Sequence, residues 1–247
     1  MKEKVLPNDE TNRVKLGFLY PGFAAEDDYP RLAEMTGTRA ELVHTSIGED
    51  AHTVEALSDM GSLPRLLEGA KVLEQRGVDS VVWSSTSASF VLGWDGAMRQ
   101  AEALEEALSV PASTTAFAFV SAAKKLGVER AAVAATYPED IARLFEKFLE
   151  IGGVSVVRVG TRGIITAAEV GTLGREAVLE LAVGNDDGSA DVLLMPDTAL
   201  HSAAWLEEIE DAVGKPVITA NQATYREAMR LAGDDKVREG LGSLFRV

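Results

Sequence analysis

Three sequence blocks occur twice in this chain, in the same order, and this constrains the fold more than any other feature. A strand-like run ending Leu19-Tyr20-Pro21 precedes Glu26-Asp27-Asp28, and a second ending Thr136-Tyr137-Pro138 precedes Glu139-Asp140. Gly77 to Trp83 leads into Ser84-Ser85-Thr86-Ser87, as Gly188 to Met195 leads into Pro196-Asp197-Thr198-Ala199. Pro111 through Gly127 matches Pro216 through Gly233 with almost no change in length. A duplicated half explains the shared order; the competing explanation is that all βα units look alike.

Short β-branched runs alternate with longer helical patterns, the signature of βα units and a parallel sheet. Strands are expected at Val14–Tyr20, Ala40–Ser46, Ser80–Ser84, Ala131–Ala135, Val154–Gly160, Val192–Met195 and Val217–Thr219. Helical spacing of apolar residues marks Leu63–Gln75, Gly96–Leu108, Phe117–Leu126, Asp140–Ile151, Ile165–Ala182 and Ala203–Val213. The expected architecture is α/β, with two pseudo-symmetric Rossmann-like lobes and the site in the cleft between them. Residues 1–115 form the first lobe, 116–221 the second, and 222–247 pack back on the first. Ligands bind at the carboxyl ends of parallel strands, so the two sets of strand ends are expected to face each other.

Composition excludes several functions. The chain contains no cysteine, which removes disulfides, thiolate metal ligands and thiol nucleophiles together. A formal charge of −15, from 39 acidic against 24 basic residues, argues against nucleic acid, whose phosphates need a basic surface. The three histidines, His44, His52 and His201, lack spacing suited to a shared metal, so a metal site would need an all-carboxylate set. No apolar run approaches the roughly 20 residues that span a bilayer. The polar start, Met1 to Arg13, lacks a signal-like apolar core, giving the expectation of a cytoplasmic protein with no membrane partner.

Two strand-end clusters can carry chemistry. Ser84-Ser85-Thr86-Ser87-Ala88-Ser89 follows the apolar Val81–Trp83 directly. Small hydroxylated residues at a strand-to-helix turn present donors to a carboxylate or enediolate oxygen, although one of them also serves as a helix cap. In the matching place of the second half, Asp197 reads as a general base, a cation ligand or a cap. His201, four residues on, would turn toward the cleft as an acid or base if a helix begins at Asp197, and is otherwise structural. Tyr20 and Tyr137 end equivalent strands, each offering either a phenol to a substrate oxygen or a ring to the cleft wall. Asn221 and Gln222 follow Val217–Thr219 and either reach the same cavity or make turn contacts. The loops Gly22–Pro30, Gly93–Ala97 and Gly163–Thr166 are expected to shape the cavity.

These residues resemble the aspartate/glutamate racemase superfamily, specifically the branch of arylmalonate decarboxylases and maleate cis-trans isomerases. The resemblance runs from Leu16 to Gly233. It is carried by Tyr20-Pro21, Ser85 to Phe90, Pro111 to Gly127, Ala134 to Tyr137 and Pro216 to Gly233. It implies two lobes around a site with no metal or cofactor, where Thr86, Ser87 and Tyr137 hold substrate carboxylate. Thr198, Tyr20, Pro21, His201 and Asn221 complete the expected binding set. The superfamily's paired cysteines correspond here to Ser85 and Asp197, so a two-thiol mechanism cannot operate. The expectation is a cofactor-independent isomerase or lyase acting on a small carboxylic acid through an enediolate-like intermediate. Asp197 would move the proton and Ser85 would act as relay. A hydrolase using Asp197, Ser85 and His201, or an inactive carboxylate-binding sensor, are the alternatives. Whether the chain forms a homo-oligomer is left open.

Overall fold

The computed structural model describes residues 13–247. The polar start read above, residues 1–12, lies outside them. The chain begins with β1 (Lys15–Pro21), α1 (Asp28–Thr36), β2 (Arg39–Thr45), α2 (Val54–Met60) and α3 (Leu63–Glu74). It continues through β3 (Ser80–Trp83), α4 (Ser87–Phe90), α5 (Gly93–Leu108), β4 (Ala112–Thr114) and α6 (Thr115–Leu126). Then follow β5 (Arg130–Ala135), α7 (Glu139–Ile151), β6 (Ser155–Thr161), α8 (Ala167–Val170), α9 (Arg175–Asn185) and β7 (Val192–Met195). Finally come α10 (Leu206–Val213), β8 (Val217–Thr219) and α11 (Ala220–Leu231).

All strand pairs are parallel, and they form two four-stranded sheets ordered β2-β1-β3-β4 and β6-β5-β7-β8. The two sheets thus share one strand order, matching the order of the repeated blocks. Period-two alternation divides the strand residues between layers. Ala131, Val133 and Ala135 of β5 enter the main core, which also holds Phe18, Val82 and Trp83 of the first sheet. Ala132 and Ala134 face a smaller outer core with Leu181, Leu193 and Ile209.

The matched proline-initiated blocks show why they recur. Each is a three-residue strand running straight into a helix capped by the strand's last threonine. Thr114 accepts from the Phe117 amide at 3.3 Å, and Thr219 forms a capping box with Gln222. The last helix packs back on the first sheet: Tyr225 of α11 stacks on Phe18 with centroids 5.2 Å apart, and Ser80 Oγ donates to the Ala228 carbonyl at 2.7 Å. Helix α6, leaving the first sheet, packs Phe119 against Phe145 of α7.

Two expectations are corrected. Strand β4 falls where only a helix was expected to follow, because three small or polar residues carry no periodic signal of their own. The single helix expected over Ile165–Ala182 is two, α8 and α9, separated at Gly171 to Gly174. A Cβ on Gly171 would lie 3.1 Å from that of Ala24, so the chain there passes close to the opposite lobe.

Candidate active site

A cavity of about 250 Å³ opens at the carboxyl ends of the two sheets. Tyr20 and Pro21 at the end of β1, Ser85 and Ser87 after β3, and Asp197 and Thr198 after β7 all line it. Its remaining wall is largely apolar, with Phe23, Ile47, Leu57 and Met60 prominent beside the polar Asp50 and His52, and no lysine or arginine among the described residues lines it. Six of the ten expected site residues are therefore brought together.

Asp197 is buried, and its orientation is fixed from two sides. Oδ1 accepts from the Ala199 amide at 2.9 Å, and Oδ2 accepts from the Thr136 hydroxyl. His52 Nε2 lies 3.9 Å from the same Oδ2, with both side chains only 5% exposed. The other ring nitrogen of His52, Nδ1, is 2.9 Å from the Ile164 carbonyl.

Ser85 accepts from the Ala88 amide at 3.3 Å, so it caps the one-turn α4 and lines the cavity at once. Ser84 and Ser89 spend their hydroxyls on the carbonyls of Val82 and Ser85. Thr86 is buried, with its hydroxyl near the Tyr137 phenol, and is not part of the cavity wall. The end of α2 is drawn tightly onto α4, since a Cβ on Gly61 would sit 2.1 Å from the Ala88 carbonyl oxygen.

Both tyrosines hold the Asp197 loop and spend their phenolic protons on its backbone. Tyr137 donates to the Pro196 carbonyl at 2.7 Å, and Tyr20 donates to that of Thr198 at 3.0 Å while accepting from the Ala25 amide. Burial raises both phenols well above their usual pKa; for Tyr137 the Asp197 charge adds to this, while the Thr86 and Ser87 hydroxyls oppose it. Tyr137 lies outside the cavity wall, with its ring edge-on to His52.

Asn221 and His201 are not in the cavity either. Asn221 sits beneath it, donating to the Thr198 carbonyl and to Asp28 Oδ2 and accepting from the Tyr29 hydroxyl. Asp28 is buried and also accepts from the amides of Ser202 and Ala203; burial raises its carboxyl pKa, and these donors offset that only in part. No helix starts at Asp197: the chain makes turns until α10 begins at Leu206, which carries His201 away to face Asp27 at 3.0 Å. Asp27, Asp28 and His201 bring their ligand atoms within 4.8 Å of one another, so the one candidate metal cluster among the described residues mixes histidine with carboxylates. This corrects the all-carboxylate expectation, although both Asp28 oxygens already accept protein donors.

Sequence reasoning missed His52, Asp50 and Thr136. Asp50 accepts from the amides of Ala167 and Ala168 at the start of α8, and the His52 amide donates to the Ile165 carbonyl at 2.6 Å. The segments 46–53 and 164–168 thereby join the two lobes over the cavity. Of the three expected wall loops, Gly22 to Ala24 contributes directly; 93–97 lies in α5, and 163–166 leads into the wall residues Ala167 and Ala168.

Two parallel sheets of one strand order, opening a shared cavity at their carboxyl ends, define an α/β protein of the two-lobed class to which maleate isomerases and arylmalonate decarboxylases belong. A family model described as arylmalonate decarboxylase matches residues 43–245, and the chain belongs to that family. It is 29% identical over 185 residues to the arylmalonate decarboxylase of Bordetella bronchiseptica, covering 73% of this chain and 76% of the relative. Its fold is similar to the maleate isomerase of Pseudomonas putida, with a TM-score of 0.86 and 20% identity, over 94% of this chain and 98% of that one. It is also similar to a cysteine-to-serine variant of the Nocardia farcinica maleate cis-trans isomerase bearing a covalently bound succinylcysteine intermediate; there the TM-score is 0.85 and the identity 20%, over 94% and 98% of the two chains. These relatives are isomerase and decarboxylase enzymes. This chain has no cysteine on which such an intermediate could form.

Proposed function

We propose that this protein is a cofactor-independent decarboxylase, working in the cytoplasm on small carboxylic acids that carry an apolar substituent. Isomerisation is the second reading. The observation that carries it is the cavity itself: a buried carboxyl, Asp197, with His52 beside it, and several hydroxyls face a largely apolar wall to which, among the described residues, no lysine or arginine contributes. A carboxylate placed against the Phe23, Ile47, Leu57 and Met60 side of this wall loses hydration without gaining a lysine or arginine counter-ion, which favours its departure as neutral carbon dioxide. The electron pair of the breaking bond enters the remaining carboxylate as an enediolate. Ser85, Ser87 and Thr198 are the hydroxyl donors that line the cavity to meet its oxygens. One well-placed donor of this kind is worth about 3–4 kcal/mol. Asp197 then carries a proton to the α-carbon and is recharged from solvent.

This reading gives Asp197 the place of the family's cysteine, and a carboxyl is a competent proton carrier in a buried site. It leaves no role for His201, which faces Asp27, so the hydrolytic alternative loses its His201-assisted route and keeps only Asp197 as a base. It also treats the shared strand order as the product of duplication, with lobes at 1–115 and 116–221 and the segment 222–247 returned to the first.

The test is turnover of a panel containing phenylmalonate, maleate, amino acids and hydroxy acids, followed by NMR. Carbon dioxide release from phenylmalonate is expected, with Asp197→Asn slower by about a hundredfold or more. Conversion of maleate to fumarate instead would transfer the assignment to isomerase. Binding of these acids without any turnover would sink both and favour a carboxylate sensor.

A further inference from the structure

We infer that His52 is a positioning and proton-supplying partner of Asp197: the pair holds one proton between Nε2 and Oδ2, delivers it through the carboxyl in each turnover and is reloaded from water. Its chemistry rests on the decarboxylase reading, whereas its principal test does not.

The argument begins with hydrogen-bond bookkeeping around one ring. A carbonyl only accepts, so the 2.9 Å contact with the Ile164 oxygen requires the hydrogen on Nδ1. A neutral His52 must then turn an Nε2 lone pair toward Asp197 Oδ2, 3.9 Å away. Two lone pairs facing each other at 5% exposure repel, and a proton on Nε2 converts that repulsion into attraction. The spacing is about 1 Å longer than a charge-assisted hydrogen bond, a gap that a small ring or carboxyl movement closes as the site tightens on substrate.

The other groups around His52 leave Asp197 as its electrostatic partner. Tyr137 packs edge-on, with centroids 4.9 Å apart, and its proton is committed to the Pro196 carbonyl. Asp50, on the same loop, directs its two oxygens to the amides of Ala167 and Ala168. Thr136 donates to Asp197 Oδ2 and fixes the oxygen that His52 faces.

The steps balance. Loss of carbon dioxide leaves an electron pair on the α-carbon; the shared proton moves from Nε2 to Oδ2 and on to that carbon, which leaves Asp197 a carboxylate and His52 neutral. Water then returns a proton to Nε2, so the pair again holds one proton and one proton is consumed for each carbon dioxide released.

Histidine-ring nitrogen NMR tests the pair directly, because the chain has three histidines and His52→Gln identifies the ring in question. With Asp197 ionised, both His52 nitrogens are expected to carry hydrogen, and only Nδ1 in Asp197→Asn. A neutral His52 in the unaltered protein, as expected if the ring only pins two loops together, would overturn the inference whatever the activity. In phenylmalonate turnover, His52→Gln should lower kcat about tenfold or more with KM little changed, and an unchanged kcat would also overturn it. Failure of the unaltered protein to turn over phenylmalonate would instead count against the decarboxylase reading, with the NMR result standing separately.

Discussion

Tyr20 and Tyr137 occupy equivalent strand ends, and the sequence left open whether each phenol meets substrate or packs as a ring. The structure gives a third use: each donates to a backbone carbonyl beside Asp197 and so holds that loop. Removing the Tyr20 hydroxyl strands the Ala25 amide and leaves the Thr198 carbonyl with Asn221 alone. Tyr20→Phe is therefore expected to lower stability by about 1–3 kcal/mol, read from urea unfolding with an unchanged m-value. Asp197 and Ser85 were legible because each follows a short apolar strand at a matched place in the repeat. His52 was not, because its loop has no periodicity and its partners, Ile164 and Asp197, come from the other half of the chain. His201 misled for a related reason: its spacing from Asp197 points to the cleft only on a helix, and the chain makes turns there instead.

The elements most important to the site are the least regular ones. Loop 46–53 and the start of α8 meet over the cavity through Asp50 and His52, and neither segment has the apolar rhythm that revealed the longer helices. Asp50→Ala would leave the first amides of α8 without their acceptor. The expected cost is about 1–2 kcal/mol, confined to this latch. Hydrogen exchange at Ala167 and Ala168 should accelerate while the central strands β1 and β5 stay protected; unaltered exchange at α8 would show that Asp50 does not hold it. The break between α8 and α9 was hidden because apolar spacing continues across Gly171, and only the approach of Ala24 shows why the helix stops. Strand β4 was equally hidden when read alone, yet its matched block contains β8, so the repeat already held the information that local periodicity lacked.

At the scale of the molecule, the repeated blocks become two sheets of one strand order, and the cavity lies where their carboxyl ends open together. The two halves are chemically unequal: the first brings the hydroxyls of Ser85 and Ser87, the second the carboxyl of Asp197. With its proton carrier on one side, the site should deliver hydrogen to a single face of a planar intermediate. The most direct measurement is turnover of methyl(phenyl)malonate in heavy water, followed by chiral analysis of the monoacid. The account predicts deuterium at the α-carbon, one enantiomer in large excess, and loss of this product in Asp197→Asn. A racemic product, or an undiminished rate in Asp197→Asn, would contradict it.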